Sequence, residues 1–186
     1  METGRNATRG QLTDIVTHRC RRVRGANRAC IKLIWSAIMS AASLTQAEAD
    51  ALLALPKVKV DQKEWRYDGN RAKFSIPLLS QDKRENFLLD IERRQIKLKG
   101  KYQTRARTTI ILARLDFGGA PHRNPDGQDI PCPHLHIYRE GYGDGWAVSL
   151  PKIYFPDLVD RWELLQSFIK YCNIVDPPNI IRGLYI

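Results

Sequence analysis

The chain has 186 residues, 43% of them apolar, and a formal charge of +10, which suits one well-packed domain and is short for two. That apolar fraction excludes wholesale disorder, and no apolar run reaches the ~20 residues a bilayer crossing needs, so a soluble cytoplasmic protein with no membrane partner is expected. The charge is uneven: residues 1–38 hold seven arginines and Lys32 against Glu2 and Asp14, a net of +6, while the other 148 residues hold 22 basic and 18 acidic side chains, a net of +4. A basic surface favours RNA, DNA or anionic lipid without selecting a fold. Cys20, Cys30, Cys132 and Cys172 form no C-x-x-C pair, which points to reduced thiols and not to a disulfide framework.

Residues 1–42 read as a basic, unstructured leader, with Met39 as an alternative start. The basic region is too long for a secretory signal, and Lys32 and Ser36 interrupt the apolar stretch that follows it. A single α+β domain is expected over 43–186. It opens with "LTQAEADALLALP", where Thr45 caps a helix over about 45–55, Glu48 completes a capping box and Pro56 ends the run. "VKVDQKEWRY" then runs as a strand to the turn cluster Asp68-Gly69-Asn70, and "AKFSIPLL" follows. "ENFLLDIERR", "QIKLKGKYQ", "TRARTTIILARLDF", "PHLHIYRE" and "GWAVSLPKIYF" continue the strand series with hairpin-sized connections. In "DLVDRWELLQSFIKYCN" Asp157 reads as the cap of a second helix, and Leu158, Trp162, Leu165, Phe168, Ile169 and Cys172 fall on one stripe. "VDPPNIIRGLYI" closes the chain in extended form, as an edge segment. The expected architecture is a curved antiparallel sheet, a meander or half-barrel, with an N-terminal and a C-terminal helix packed on it.

The chemistry concentrates in "DIPCPHLHIYREGYGDGWAVSLP" and in "PHRNPDG" just before it. Strand alternation puts His134, His136, Tyr138 and Glu140 on one face, with Leu135 and Ile137 facing the core. Three readings follow. In the first, the protein is RNA-directed, a metal-independent ribonuclease of toxin type. His134 and His136 then act as base or acid, His122 or Tyr138 completes the pair, and Arg105, Arg107 or Arg114 holds the phosphate. In the second, His122, His134, His136 and Glu140 bind zinc or another divalent metal. The H-x-H with a following Glu resembles the metal motif of cupins over about residues 127–145, although that pattern has a further histidine downstream and none follows His136. In the third, the protein is a non-catalytic interaction module, the partner of a neighbour-gene protein, and the histidines merely hydrogen-bond across a sheet. "NPDG" is itself an ordinary type I turn.

Taken together, "LTQAEADALL", "RLDFGGAPHRNPDG", "PHLHIYREGYGDGWAVSLP" and "YCNI" resemble an uncharacterised family of small bacterial and prophage-associated proteins over about residues 44–175. The resemblance implies a bacterial or mobile-element setting. It carries over no functional residue.

Overall fold

The computed structural model describes residues 43–67, 72–93, 99–156 and 160–183. The leader with its alternative start at Met39, the turn at 68–70 and the Asp157 cap lie outside them.

Helix α1 (Gln46–Ala54) starts where the capping box requires: Thr45 Oγ1 accepts from Glu48 N, and Thr45 N donates to Glu48 Oε2 at 2.9 Å. Among the described residues twelve strands follow the expected alternation with some divisions. They are β1 (Lys57–Lys59), β2 (Glu64–Tyr67), β3 (Ala72–Ser80), β4 (Asn86–Arg93), β5 (Gly100–Ala106), β6 (Ile110–Phe117), β7 (His122–Arg123), β8 (Asp129–Ile130), β9 (His134–Arg139), β10 (Gly143–Ser149), β11 (Ile174–Asp176) and β12 (Asn179–Arg182). Helix α2 (Arg161–Tyr171) stands between β10 and β11; its N-cap is Asp160, whose carboxylate accepts from Glu163 N at 2.8 Å.

Eight strands form one open, curved sheet in the order β10-β9-β6-β5-β4-β3-β1-β11. From β3 to β10 it is the expected antiparallel meander. The chain ends depart from it: β11 joins β1 in parallel, and β12 pairs β2 in parallel in a separate ribbon. "TRARTTIILARLDF" is two strands because Arg107 and Thr108 take positive φ in a tight turn. Among the described residues no helix is long and apolar enough to cross a membrane.

Alternation divides the sheet into an apolar and a polar face. Leu78, Ile76, Phe87, Leu89, Ile91, Tyr102, Ala113, Leu115, Phe117 and Leu135 are buried on the first, with Leu165 and Phe168 of α2 in the same cluster. The Tyr102 ring lies 6.2 Å from that of Phe168. A buried lysine ties the two helices together. Lys57 Nζ donates to Leu53 O, Leu55 O and Cys172 O at 2.8–2.9 Å, satisfying carbonyls at both helix C-termini. Burial pulls its ammonium down to about 8.

Candidate functional site

Antiparallel register carries the polar face across five strands in two rows. The first runs Ser75, Asp90, Gln103, Arg114, His136; the second runs Lys73, Glu92, Lys101, Asp116, His134. Each residue directly opposes the next, so acid, base and amide side chains meet at cross-strand distance.

The middle of the first row closes on itself. Asp90 accepts from Ser75 Oγ (2.5 Å), Gln103 Nε2 (2.7 Å), Arg105 Nε (2.6 Å) and Arg105 Nη2 (2.9 Å). Burial pushes its carboxyl up, but the bonds from Arg105, Ser75 and Gln103 outweigh it and hold the pKa below the usual carboxylate range.

The β6–β9 end is different. His136 Nδ1 lies 2.9 Å from Asp144 O and His134 Nδ1 3.3 Å from Pro131 O. A carbonyl oxygen only accepts, so both Nδ1 atoms carry the proton and both Nε2 atoms present lone pairs. Those Nε2 atoms turn towards Asp116: Oδ2 is 3.3 Å from His136 and 3.9 Å from His134. Arg114 spans the group, its Nε donating to Asp116 at 3.2 Å and its Nη2 to His136 Nε2 at 3.0 Å, while Nη1 pairs with Asp144. Burial raises the Asp116 pKa, yet its charged and hydrogen-bonding neighbours, Arg114 among them, bring it below its ordinary value. Burial, reinforced by His136, holds the His134 imidazole below its ordinary value.

The histidine row is not the open surface that alternation suggests; His134 and His136 are buried. The chain from Gly118 to Pro133 folds back and lays the β7–β8 hairpin over them. Its turn is the expected one, with Gly127 N donating to Asn124 O at 2.8 Å. Asn124 then behaves like a strand residue: Nδ2 donates to Ala147 O (2.9 Å) and Oδ1 accepts from Ala147 N (2.8 Å). His122 Nε2 donates to Gly145 O at 3.0 Å. Together they cap the outer edge of β10 and bring the His122 ring centroid to 4.5 Å from His136 and 5.8 Å from His134.

An open cleft of about 350 Å³ adjoins this cluster, lined among others by Lys99, Lys101, Glu92, Asp116, His122 and His134. Gly100 forms part of its wall, and a Cβ there would meet Phe117 Cζ at 2.4 Å and Glu92 O at 2.6 Å. Only glycine fits.

The three histidines and Arg114 therefore come together, and the other expected site residues do not join them. The Tyr138 hydroxyl donates to Leu44 O at 2.7 Å within the hydrophobic cluster. Glu140 accepts from Gln46 N at 2.9 Å, at the start of α1. Arg105 is committed to Asp90, and Arg107 sits in the β5–β6 turn with Nη2 3.1 Å from Glu85. Sequence reasoning passed over Asp116 and Asp144. Asp116 had a local signal, since it alternates with Arg114 in "ARLDF".

A family model covers residues 44–174 and is described as a family of unknown function, DUF6978. The chain belongs to that family. The matched span contains both helices and the whole polar face, including the cleft. No curated protein and no solved structure matches the chain.

Proposed function

We propose that this DUF6978 member is an RNA-directed protein of the cytoplasm, a metal-independent ribonuclease of toxin type from a bacterial or mobile-element system. One observation carries the reading: a cleft in which His122, His134 and Asp116 meet Lys99 and Lys101. Phosphodiester cleavage needs a base for the 2′-hydroxyl, an acid for the leaving oxygen and cations for the extra phosphate charge.

His134 Nε2 is the base. Its Nδ1–H is held by Pro131 O, and its depressed pKa leaves the ring neutral at neutral pH. The 2′-oxygen, once its proton passes to His134, attacks the adjacent phosphorus and the bond to the 5′-oxygen breaks. His122, with Nε2–H held by Gly145 O, supplies a proton from Nδ1 to that leaving oxygen as the imidazolium. A 2′,3′-cyclic phosphate and a 5′-hydroxyl result. Lys99 and Lys101 face the phosphate. His136, fully enclosed, supports the site and does not touch RNA.

The test is incubation of the full chain with end-labelled RNA of mixed sequence in excess EDTA. Cleavage to cyclic-phosphate ends is expected, falling roughly 10²–10⁴-fold in His134→Ala and in His122→Ala. Intact RNA after incubation with folded wild-type protein sinks the reading. If that protein instead co-purifies with a neighbour-gene protein, an interaction module takes the ribonuclease's place.

A further inference from the structure

We propose that Asp116, His134 and His136 form a binding site for one divalent transition-metal ion of the zinc class, with Arg114 as the resident cation that the metal displaces. The inference does not rest on RNA cleavage. It rests on where three donor atoms lie and on what already occupies the space between them.

One donor atom from each of Asp116, His134 and His136 lies within 4.8 Å of the other two, and Asp116 Oδ2 faces the Nε2 atoms of both histidines. A tetrahedral ion with bonds of ~2.0–2.1 Å has ligand–ligand edges of about 3.3–3.4 Å. The Asp116–His136 edge, at 3.3 Å, is already in place. The Asp116–His134 edge is 3.9 Å, so a shift of the His134 ring by about 0.5 Å brings it to the tetrahedral length.

The tautomers fit. Both histidines donate Nδ1–H to backbone carbonyls, Asp144 O and Pro131 O. Metal-binding histidines are oriented in the same way, with the outer nitrogen held and the inner lone pair aimed at the ion. One carboxylate and two imidazoles suit zinc, cobalt or nickel better than magnesium or calcium. Asp116 and His134 both line the cleft, so a fourth position faces it, as in open three-ligand sites.

Arg114 shows that this space takes positive charge. Its guanidinium contacts Asp116 and His136 and pairs with Asp144. An ion that takes over Asp116 and His136 leaves the guanidinium on Asp144, so no carboxylate or guanidinium loses every partner. The ligand set differs from the one the sequence suggests. Glu140 is bound to Gln46 N, and His122 has its Nε2–H committed to Gly145 O.

Metal binding and base catalysis would use the same lone pair of His134. Metal loading should therefore suppress RNA cleavage.

Titration of the metal-stripped full chain with Co²⁺, followed by visible absorption and displaced by Zn²⁺, tests the site. One ion per chain is expected. His136→Gln and Asp116→Ala should weaken binding at least 100-fold, and Glu140→Gln should leave it unchanged. Arg114→Gln should tighten it several-fold, because the competing cation is gone. That gain keeps the proposal falsifiable even if the ligand variants fold poorly, with circular dichroism reporting their fold. Absence of saturable binding overturns the proposal, as does an Arg114→Gln affinity equal to or weaker than wild type. Cleavage in EDTA is scored separately, so failure of the metal site and failure of the ribonuclease reading are distinct results.

Discussion

Two carboxylates on the same polar face, Asp90 and Asp116, each sit beside an arginine and differ in what is left over. Asp90 takes four hydrogen bonds from Ser75, Gln103 and Arg105, one side chain from each neighbouring strand and a bidentate guanidinium. Those bonds fill its acceptor positions. Asp116 shares Arg114 with Asp144 and His136, and its other neighbour, His134 Nε2, stands 3.9 Å away. A saturated ion pair holds a sheet together, whereas a partly satisfied one beside a cleft can exchange partners. Similar residue types thus yield a fastening at β4–β5 and a partly satisfied, cleft-lining cluster at β6–β9.

That contrast breaks first on stability. Asp90→Ala strands the half-buried Arg105 guanidinium and should cost about 3–5 kcal/mol in urea unfolding, whereas Asp116→Asn should cost clearly less and act on binding or cleavage. An equal cost at both positions would erase the difference between the two clusters. The pH dependence follows from the same pair. Asp90 titrates below its unfolded value of about 3.9. Its contribution is therefore complete above that pH and lost as pH falls through the lower folded value. Wild-type stability should drop below about pH 4, more steeply than in Asp90→Asn.

Asn124→Ala should have an intermediate effect, about 1–3 kcal/mol, since it removes both bonds to Ala147 and leaves a buried edge unpaired. Hydrogen exchange should then accelerate at the Ala147 amide while Leu89 stays protected. Uniform acceleration would mean that the hairpin is not a separate clamp. Smallest is Arg107→Gln, an exposed pairing with Glu85, expected to shift stability by no more than about 0.5 kcal/mol. Because Arg107 lies apart from the cleft, RNA cleavage should be unchanged; a large loss there would move the phosphate site to the β5–β6 turn.

Much of the fold is legible in local chemistry. The Thr45–Glu48 box, the NPDG turn and the period-two strands around Leu89, Leu115 and Leu135 are settled by neighbours in sequence. The Asp160 cap and the parallel seats of β11 and β12 were not legible. The Asp160 cap depends on where the chain turns into the helix, and short strands pair wherever an edge is free. Half the site was readable as well: alternation placed His134 and His136 together, and Arg114 in a strand that could face them.

The sequence by itself determined the α+β class, the order of helix, meander and helix, and the existence of a polar histidine face, because these follow from periods of 2 and 3.6 and from caps and turns. Only the tertiary structure decided what that face became. The β6–β9 register set Asp116 opposite His134 and Arg114 opposite His136, and the β7–β8 hairpin roofed them with His122. It also sent Tyr138 and Glu140 to the start of α1. Pairing between strands separated by a long excursion depends on packing over the whole sheet, which no local pattern encodes.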